Sequence, residues 1–191
     1  MNDWIALILL GAGLSADAFA VSICDGISYK NLSVPRMTFI AGVFGAMQGI
    51  MPLLGYLLGG LFIRYIENAL PWISFALLLV IGGKTLYEGI KAVLKKEEPT
   101  EKLFSPSAIL IQGVATSIDA LAVGVSMLSF SISIWISAPV IAAITFSLSL
   151  LAVFLGTKFG SLLKGKSGIA DIIGGTVLIA LGISFVLRSY V

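Results

Sequence analysis

Six long apolar runs divide the sequence and limit the folds available to it. Each run is about 20 residues or longer, enough at roughly 1.5 Å per residue of helix to cross about 30 Å of hydrocarbon. In lipid, backbone groups must hydrogen-bond within the protein, which leaves helices or a closed barrel, and the runs lack the alternation of barrel strands. The sequence therefore predicts an all-α membrane protein with six transmembrane helices at residues 4–24, 37–62, 70–90, 107–128, 134–157 and 169–187.

The composition agrees with a bilayer protein and argues against several classes of enzyme. Of the 191 residues, 58% are hydrophobic and 12% are charged, too few charges for the surface of a soluble domain. The chain has no His, which excludes Ser/His and Cys/His catalysis, and its one cysteine, Cys24, cannot form an internal disulfide. We therefore do not expect an enzyme. The net charge is only +2 and is spread along the chain, so we do not expect a nucleic-acid-binding protein either.

The Lys and Arg residues are distributed unevenly between the two sides of the predicted bundle. The first, third and fifth connections contain Lys30, Arg36, Lys91, Lys95, Lys96, Lys102, Lys158, Lys164 and Lys166. The opposite side has only Arg64 and Arg188, and Lys84 falls inside the third run. Because short basic loops are retained in the cytoplasm, the odd-numbered connections are predicted to be cytoplasmic, with both termini outside the cell.

The two halves of the chain share a repeated motif. Residues 11–21 (GAGLSADAFAV) align with residues 113–123 (GVATSIDALAV) at an offset of 102, and six of the eleven positions are identical. A repeat of three spans inserts in the opposite orientation the second time, because three is odd. We therefore predict two inverted three-helix repeats, at 1–90 and 106–191, joined by a charged cytoplasmic linker at 91–105; many secondary transporters have such repeats.

The repeated motif places one aspartate of each half, Asp17 and Asp119, inside an apolar run. An ionisable group there costs about 2.5–3.5 kcal/mol on insertion scales, so it is retained mainly where it faces a cavity, a partner or an ion. Inverted repeats would bring the two carboxylates together near the middle of the bilayer. Two negative charges favour a divalent cation, and oxygen ligands favour magnesium, calcium or manganese. The alternative is structural, with each Asp hydrogen-bonded to a neighbouring helix.

Four further polar residues are candidate metal ligands. Gln48 and Gln112 offer amide oxygens, and Ser15 and Ser117 each precede an aspartate by two residues. Ordinary hydrogen bonding between helices is the competing interpretation for all four. The Gly and Ala residues around the motifs permit close helix approach or local unwinding, which would expose backbone carbonyls as additional ligands.

Charged residues at the predicted cytoplasmic helix ends form a second group. Its members are Asp25, Lys84, Glu88 and Asp171. Lys84 and Glu88 are one helical turn apart, so one interpretation is a surface ion pair. The other is a cytoplasmic vestibule that attracts cations.

Several segments resemble the bacterial manganese efflux pump family, MntP. They are residues 15–22 (SADAFAVS), 116–124 (TSIDALAVG) and 72–89 (WISFALLLVIGGKTLYEG), with 52–55 (PLLG) and 174–175 (GG). The likeness covers nearly the whole chain. It implies a multi-pass exporter in the bacterial cell membrane that protects against excess manganese, with the manganese ion as transported substrate and no cofactor.

The resemblance also assigns individual positions. The family's acidic and basic membrane positions correspond here to Asp17, Asp119, Lys84 and Glu88. Gln48 stands where some members carry Glu, and Asp171 stands where members often carry Glu. A neutral residue at position 48 lowers the negative charge of the site, which bears on its coordination and selectivity.

Other functions stay open on the sequence alone. The chain could export another divalent cation, export a small molecule as related six-helix families do, or act as a channel. An intramembrane aspartic protease would also use two Asp residues, but the Gly-x-Gly-Asp element of such enzymes is missing. Direct use of ATP is not expected without a nucleotide-binding domain, so we expect coupling to protons or to the membrane potential. The glycine pairs Gly55/Gly59 and Gly156/Gly160 fit contacts within the bundle or an oligomer equally well.

Overall fold

The computed structural model describes residues 3–29, 32–66, 70–95, 104–127, 133–162 and 167–188, and all regular structure in them is helical. The helices are α1 (Asp3–Ser28), α2 (Val34–Ile66), α3 (Leu70–Lys95), α4 (Pro106–Thr116), α5 (Ile118–Ser126), α6 (Ile134–Leu162) and α7 (Ser167–Arg188). The predicted all-α class is confirmed for this part of the chain. Five of the predicted spans correspond to single helices, and the fourth span corresponds to α4 and α5 together.

The helices have the length and surface of membrane spans. Four described stretches are long and apolar enough to cross a bilayer, namely Trp4–Ser28, Val34–Leu58, Pro106–Gly124 and Ile134–Phe159. A shorter apolar stretch, Ile172–Ser184, lies in α7. Many large apolar side chains face outward, such as Leu57 at 63% and Trp135 at 64% exposure. Lipid accommodates such a surface and water does not, so the chain is a multi-pass membrane protein.

Glycines allow α1 and α6 to pack closely. A Cβ added to Gly11 would lie 2.9 Å from Cδ1 of Ile144, and one added to Gly26 would lie 2.9 Å from Cα of Gly156. The contacts advance in the same direction along both helices, so α1 and α6 run parallel. The close approach near Gly26 requires small residues on both helices, as is common between membrane helices.

The contact of α2 with α4 and α5 follows the same scheme. A Cβ on Gly113 would lie 2.8 Å from Cγ1 of Val43, and one on Gly124 would lie 2.7 Å from Cα of Pro52. These helices therefore also run parallel. Gly55 of α2 meets the carbonyl of Leu121 in α5, so this glycine serves a contact within the chain.

The helices α3 and α7 contact each other reciprocally. A Cβ on Gly82 would lie 2.9 Å from Cβ of Leu178, and one on Gly182 would lie 3.3 Å from Cβ of Leu78. Positions 78 and 82 of α3 and positions 178 and 182 of α7 are related by an offset of 100, so the two contacts are equivalent when the halves are exchanged. The order of the contacts makes α3 and α7 antiparallel.

The helices α2 and α6 are antiparallel as well. A Cβ on Gly45 would lie 3.0 Å from Cβ of Phe146, whereas one on Gly49, further along α2, would lie 3.3 Å from the carbonyl oxygen of Ala138, earlier in α6. Since α1 is parallel to α6, and α4–α5 to α2, α1 is also antiparallel to α4–α5. Every helix of the first half thus runs opposite to its counterpart in the second half.

The predicted fourth span is interrupted at Ser117. The φ and ψ of this residue are −108° and 4°, and its N–H bonds a carbonyl three residues back instead of four. The hydroxyl of Thr116 donates to the carbonyl of Gln112 at 2.9 Å, and that of Ser117 donates to Gly113 at 2.7 Å. Such bonds compete with the helical backbone ladder. The counterpart of Thr116 is Leu14, which lacks a hydroxyl, and α1 continues unbroken there.

The predicted linker is partly helical. α3 continues to Lys95, so residues 91–95 extend the third helix. Residues 96–103, with the other linker charges, lie outside the described residues. The chain re-enters regular structure at Ser105, whose hydroxyl accepts a hydrogen bond from the Ala108 N–H at 3.4 Å and caps α4.

Candidate metal centre

The two repeated aspartates lie in different local settings. Asp17 lies within the continuous helix α1 and is 4% exposed. Asp119 is half-buried in the first turn of α5, directly after the break, and its Oδ1 accepts the N–H of Ala120 at 2.8 Å. N–H groups at a helix N-terminus favour a negative charge, so this position suits an ionised carboxylate.

The side chain of Gln48 in α2 joins the two repeated motifs. Its Nε2 donates to the carbonyl oxygen of Leu14 at 2.7 Å and to that of Thr116 at 3.5 Å. Leu14 and Thr116 are equivalent positions of the repeat, and each precedes its aspartate by three residues. One nitrogen atom of Gln48 therefore donates to equivalent carbonyl oxygens in the two halves. The two motifs meet beside this side chain.

The other end of the Gln48 amide is suited to holding a cation. Two carbonyl acceptors fix the orientation of the NH₂ group, so Oε1 faces away from them. The side chain is fully buried, and Oε1 has no hydrogen-bond partner among the described residues. Leaving such an oxygen unpaired costs about 1–3 kcal/mol, which a bound cation would offset. Pro52 has no N–H, so the main-chain carbonyl of Gln48 also lacks its usual helical donor.

Ser15 and Ser117 differ in how their hydroxyls are used. Ser15 Oγ donates to the carbonyl of Gly11 at 2.6 Å and lies 2.7 Å from Oγ1 of Thr145. Ser117 Oγ donates to the carbonyl of Gly113 at 2.7 Å. Because Ser15 has one proton, Thr145 is the donor in their contact, and the pair ties α1 to α6. The hydroxyl oxygen of Ser117 is the better candidate ligand.

Gln112 contacts the second predicted group, at one end of the bundle. Its Nε2 donates to Oδ1 of Asp25 at 3.3 Å, and both side chains are at least nine-tenths buried. Gln112 precedes Asp119 by seven residues, or about 10 Å of helix. Its Oε1 has no hydrogen-bond partner within the described part of the chain. The structure thus places an amide group beside a carboxylate at a second level of the bundle.

A cavity of about 370 Å³ opens beside Asp25 and Gln112, between α1, α3, α4 and α7. Lys84 and Glu88 also line it, with Nζ 4.0 Å from Oε1, so the predicted ion pair is present and borders the cavity. Three of the four predicted vestibule residues therefore lie around one space. The side chain of Asp171, the fourth, lies outside the described part of the structure.

Tyr29 forms part of the cavity wall next to Asp25. Burial, and then the charge of Asp25, raise the pKa of Tyr29 above its usual range, so the hydroxyl stays neutral. Its ring meets Phe104 edge-on, with 5.7 Å between centroids, and the Arg36 guanidinium lies 5.5 Å from the Phe104 centroid. These contacts hold the end of α1 against the start of α4.

Toward the opposite end of the bundle, the described residues include an apolar cluster. Its buried cluster consists of Leu7, Met127, Ile134, Ala138 and Ile141, with Leu10 packed against it. At the offset of 102, Leu10 is the counterpart of Gln112, and Met127 is the counterpart of Asp25. We call this end the sealed end, and the end with the cavity the open end.

The donor atoms at the two levels are all oxygens. In the part of the chain that the structure describes, no group of three or more His, Cys, Asp or Glu side chains gathers in one place. A metal beside Asp17 and Asp119 would therefore take its other ligands from amide, hydroxyl or main-chain oxygens. Such a set fits magnesium, calcium or manganese better than zinc or copper.

One segment matches the spacing of a nucleotide-binding motif. Residues 160–167 read GSLLKGKS, the pattern of a Walker A loop. That loop follows a β-strand, whereas here the first three residues of the segment belong to the end of α6 and the last begins α7. The match lacks its structural context and does not indicate ATP binding.

Comparison with known proteins gives one consistent result. A family model described as “Putative manganese efflux pump” matches residues 31–186. Proteins with this description from Ruminiclostridium cellulolyticum and Rippkaea orientalis are 42% and 40% identical, over 93% and 94% of this chain and 92% and 94% of theirs. One from Methanothermobacter thermautotrophicus is 36% identical over 98% of this chain and 97% of its own length. No solved structure matches the chain.

Proposed function

The chain belongs to the manganese efflux pump family MntP, and from that premise we propose that it is a secondary transporter that exports Mn²⁺ from the cytoplasm. The transported ion binds between the two repeated motifs, on the carboxylates of Asp17 and Asp119. The observation that carries this site is the contact of Gln48 with the equivalent carbonyls of Leu14 and Thr116. The motifs meet there, and the buried Oε1 of Gln48 is available as a third oxygen ligand.

The membrane architecture is two inverted three-helix repeats with six transmembrane helices. Support comes from the direction of the helices, since α3 and α7 are antiparallel and exchange equivalent glycine contacts. The break at Ser117 also supports it, because interrupted helices and their freed carbonyls are typical of ion sites in inverted-repeat transporters. Rocking of the two repeats about the shared site would then expose it to each side in turn.

The open end faces the cytoplasm of a bacterial cell. Nine Lys and Arg residues belong to connections at that end and two to the other, which is the asymmetry expected of a multi-pass protein in the cell membrane. On this proposal the cavity at the open end admits ions from the cytoplasm, and the apolar cluster at the sealed end blocks their exit.

Proton exchange is the energy coupling that this site favours. Two carboxylates balance the charge of one Mn²⁺, and buried carboxylates without a cation favour the protonated form. Protons that bind after Mn²⁺ leaves would cross toward the cytoplasm as the empty transporter resets. A small organic anion is a poorer substrate, because the two aspartates would repel its carboxylate.

The proposal is tested by Mn²⁺ uptake into inverted membrane vesicles that contain the protein. We expect accumulation against the Mn²⁺ gradient when the vesicle lumen is acidic, and loss of accumulation when an uncoupler removes the proton gradient. Magnesium, calcium, iron and zinc are added as competitors, and we expect each to inhibit less than unlabelled manganese. Uptake that only equilibrates would indicate a channel, and stronger inhibition by another cation would identify that cation as the substrate.

Replacing Gln48 tests the third ligand. Gln48→Glu adds a carboxylate to the site, so we expect a lower half-saturating Mn²⁺ concentration. Gln48→Leu removes the oxygen and should raise that concentration by about 10-fold or more, the range seen when groups around a metal are lost. The measurement is the concentration dependence of the initial uptake rate. Equal impairment of both variants would mean that only the NH₂ bonds to the two carbonyls matter.

A further inference from the structure

We propose that Asp25 and Gln112 form a second divalent-cation site, in the cavity at the open end, which loads the transport site. The proposal extends the proposed function, because it assumes that the cavity leads to Asp17 and Asp119. The second site has its own ligands and can be measured by metal binding without transport.

The geometry of the pair suits a cation. Gln112 Nε2 donates to Asp25 Oδ1 at 3.3 Å, which fixes the amide orientation and leaves Oε1 of Gln112 on the other side. Gln112 is 3% exposed, lines the cavity, and its Oε1 has no hydrogen-bond partner among the described residues. A buried carboxylate and an unpaired amide oxygen on the wall of one cavity are hard-oxygen donors for a divalent cation.

The charged side chains that line the cavity are Asp25, Lys84 and Glu88. Lys84 and Glu88 also line it and lie 4.0 Å apart, so their charges largely compensate each other. Both are partly exposed, whereas Asp25 is 5% exposed. Asp25 is therefore the most deeply buried of the three charged groups on the cavity wall. The cavity, at about 370 Å³, also exceeds the roughly 180 Å³ of six waters, so a hydrated ion can enter.

Among the described residues, the polar pair is not repeated at the sealed end. Exchanging the halves of the repeat converts Asp25 and Gln112 into Met127 and Leu10, which belong to the apolar cluster of the sealed end. Pseudosymmetry of the backbone therefore does not explain the polar pair. A pump that collects ions on one side and releases them on the other requires such a difference.

The distances along the helices connect the two sites. Asp25 follows Asp17 by eight residues, about 12 Å of helix, and Gln112 precedes Asp119 by seven residues, about 10 Å. Asp25 thus lies about two turns from Asp17 on α1, whereas Gln112 in α4 is separated from Asp119 in α5 by the break at Ser117. An ion held at the cavity site is one short step from the transport site.

The test is direct Mn²⁺ binding to the purified full-length protein, by titration calorimetry and by electron paramagnetic resonance of free Mn²⁺. We expect two ions per wild-type chain and one in the Asp25→Asn variant. A double Asp17→Asn, Asp119→Asn variant should keep the cavity ion and lose the other. Ser107→Ala, at an exposed position on the cavity wall, is the matched control and should bind two.

A second variant separates ligation from a structural role. Gln112→Glu places two carboxylates side by side, so we expect a lower melting temperature without metal and a larger rise on adding Mn²⁺ than in the wild type. If Gln112 only positions Asp25, adding Mn²⁺ will raise the melting temperature of the variant no more than that of the wild type.

Unchanged stoichiometry and affinity in Asp25→Asn would overturn the cavity site. The proposed function fails on a different result, namely Mn²⁺ transport that persists in the double Asp17→Asn, Asp119→Asn variant. Binding and flux are read from the same preparations, so the two failures are distinguishable.

Discussion

Manganese flux is expected to fall by about 100-fold or more when either Asp17 or Asp119 is replaced by Asn. Asn keeps the size of the side chain and one neutral oxygen but removes one of the two charges that balance Mn²⁺. Loss of a group that merely supports a metal ligand costs about 10- to 100-fold in affinity, so loss of the ligand itself should cost at least as much. The measurement is the initial rate of Mn²⁺ uptake into inverted vesicles with matched amounts of inserted protein.

Ser147→Ala is the control for these variants. Ser147 is exposed and donates only to the carbonyl of Ala143 in its own helix, at 2.8 Å, so we expect unchanged flux. If Asp17 and Asp119 hold one ion, the double variant should be hardly worse than either single variant, because one loss already disables the shared site. Flux that survives each single change would mean that the carboxylates are structural.

The lengths and positions of the helices follow from the apolar pattern. In lipid each apolar run has to satisfy its backbone internally, so a run such as residues 134–157 predicts a helix with little dependence on tertiary contacts. α6 (Ile134–Leu162) begins at the predicted residue and extends five residues further. The ends differ because polar residues such as Lys158 can continue a helix beyond the apolar run.

The break at Ser117 could not be predicted in the same way. The sequence allows unwinding around both aspartates equally, since both segments are rich in Gly and Ala. The segments differ at five of the eleven positions, and the one that adds a hydroxyl is Thr116 in place of Leu14; this hydroxyl bonds the carbonyls of Gln112 and Gly113. Gln48 contacts the equivalent carbonyls of both segments, so that contact does not distinguish the broken helix from the continuous one.

The ligand candidates show where sequence reasoning loses information. Seven residues make nearly two full helical turns, so Gln112 was a reasonable partner for Asp119 on one face. Its observed partner, Asp25, lies in another helix, and the apolar pattern does not specify which helix ends become neighbours. The carbonyls of Leu14 and Thr116 were missed because main-chain atoms carry no residue signature. For Gln48 the sequence did contain a signal. Pro52, four residues later, indicates that the main-chain carbonyl of Gln48 lacks its helical hydrogen-bond donor.

The glycine at position 124 is expected to control both stability and transport. In Gly124→Ala the new Cβ would lie 2.7 Å from Cα of Pro52, a backbone atom that cannot rotate away. Overpacking of this kind costs about 1–3 kcal/mol, and relief requires α5 to move away from α2. Asp119 lies five residues earlier in the same short helix, so its carboxylate moves as well. We expect a lower melting temperature in detergent and reduced Mn²⁺ flux.

Gly42→Ala is the matched control for this change, because a Cβ at Gly42 in α2 would meet nothing within 4 Å. Ala favours a helix over Gly by about 0.5–1 kcal/mol, so this variant should be as stable as the wild type or slightly more so, with normal flux. If Gly→Ala lowers the melting temperature at position 124 and does not lower it at position 42, the loss of stability comes from the α2–α5 contact. Equal tolerance at both positions would mean that α2 and α5 are further apart than in this structure, and that Asp119 does not depend on their contact.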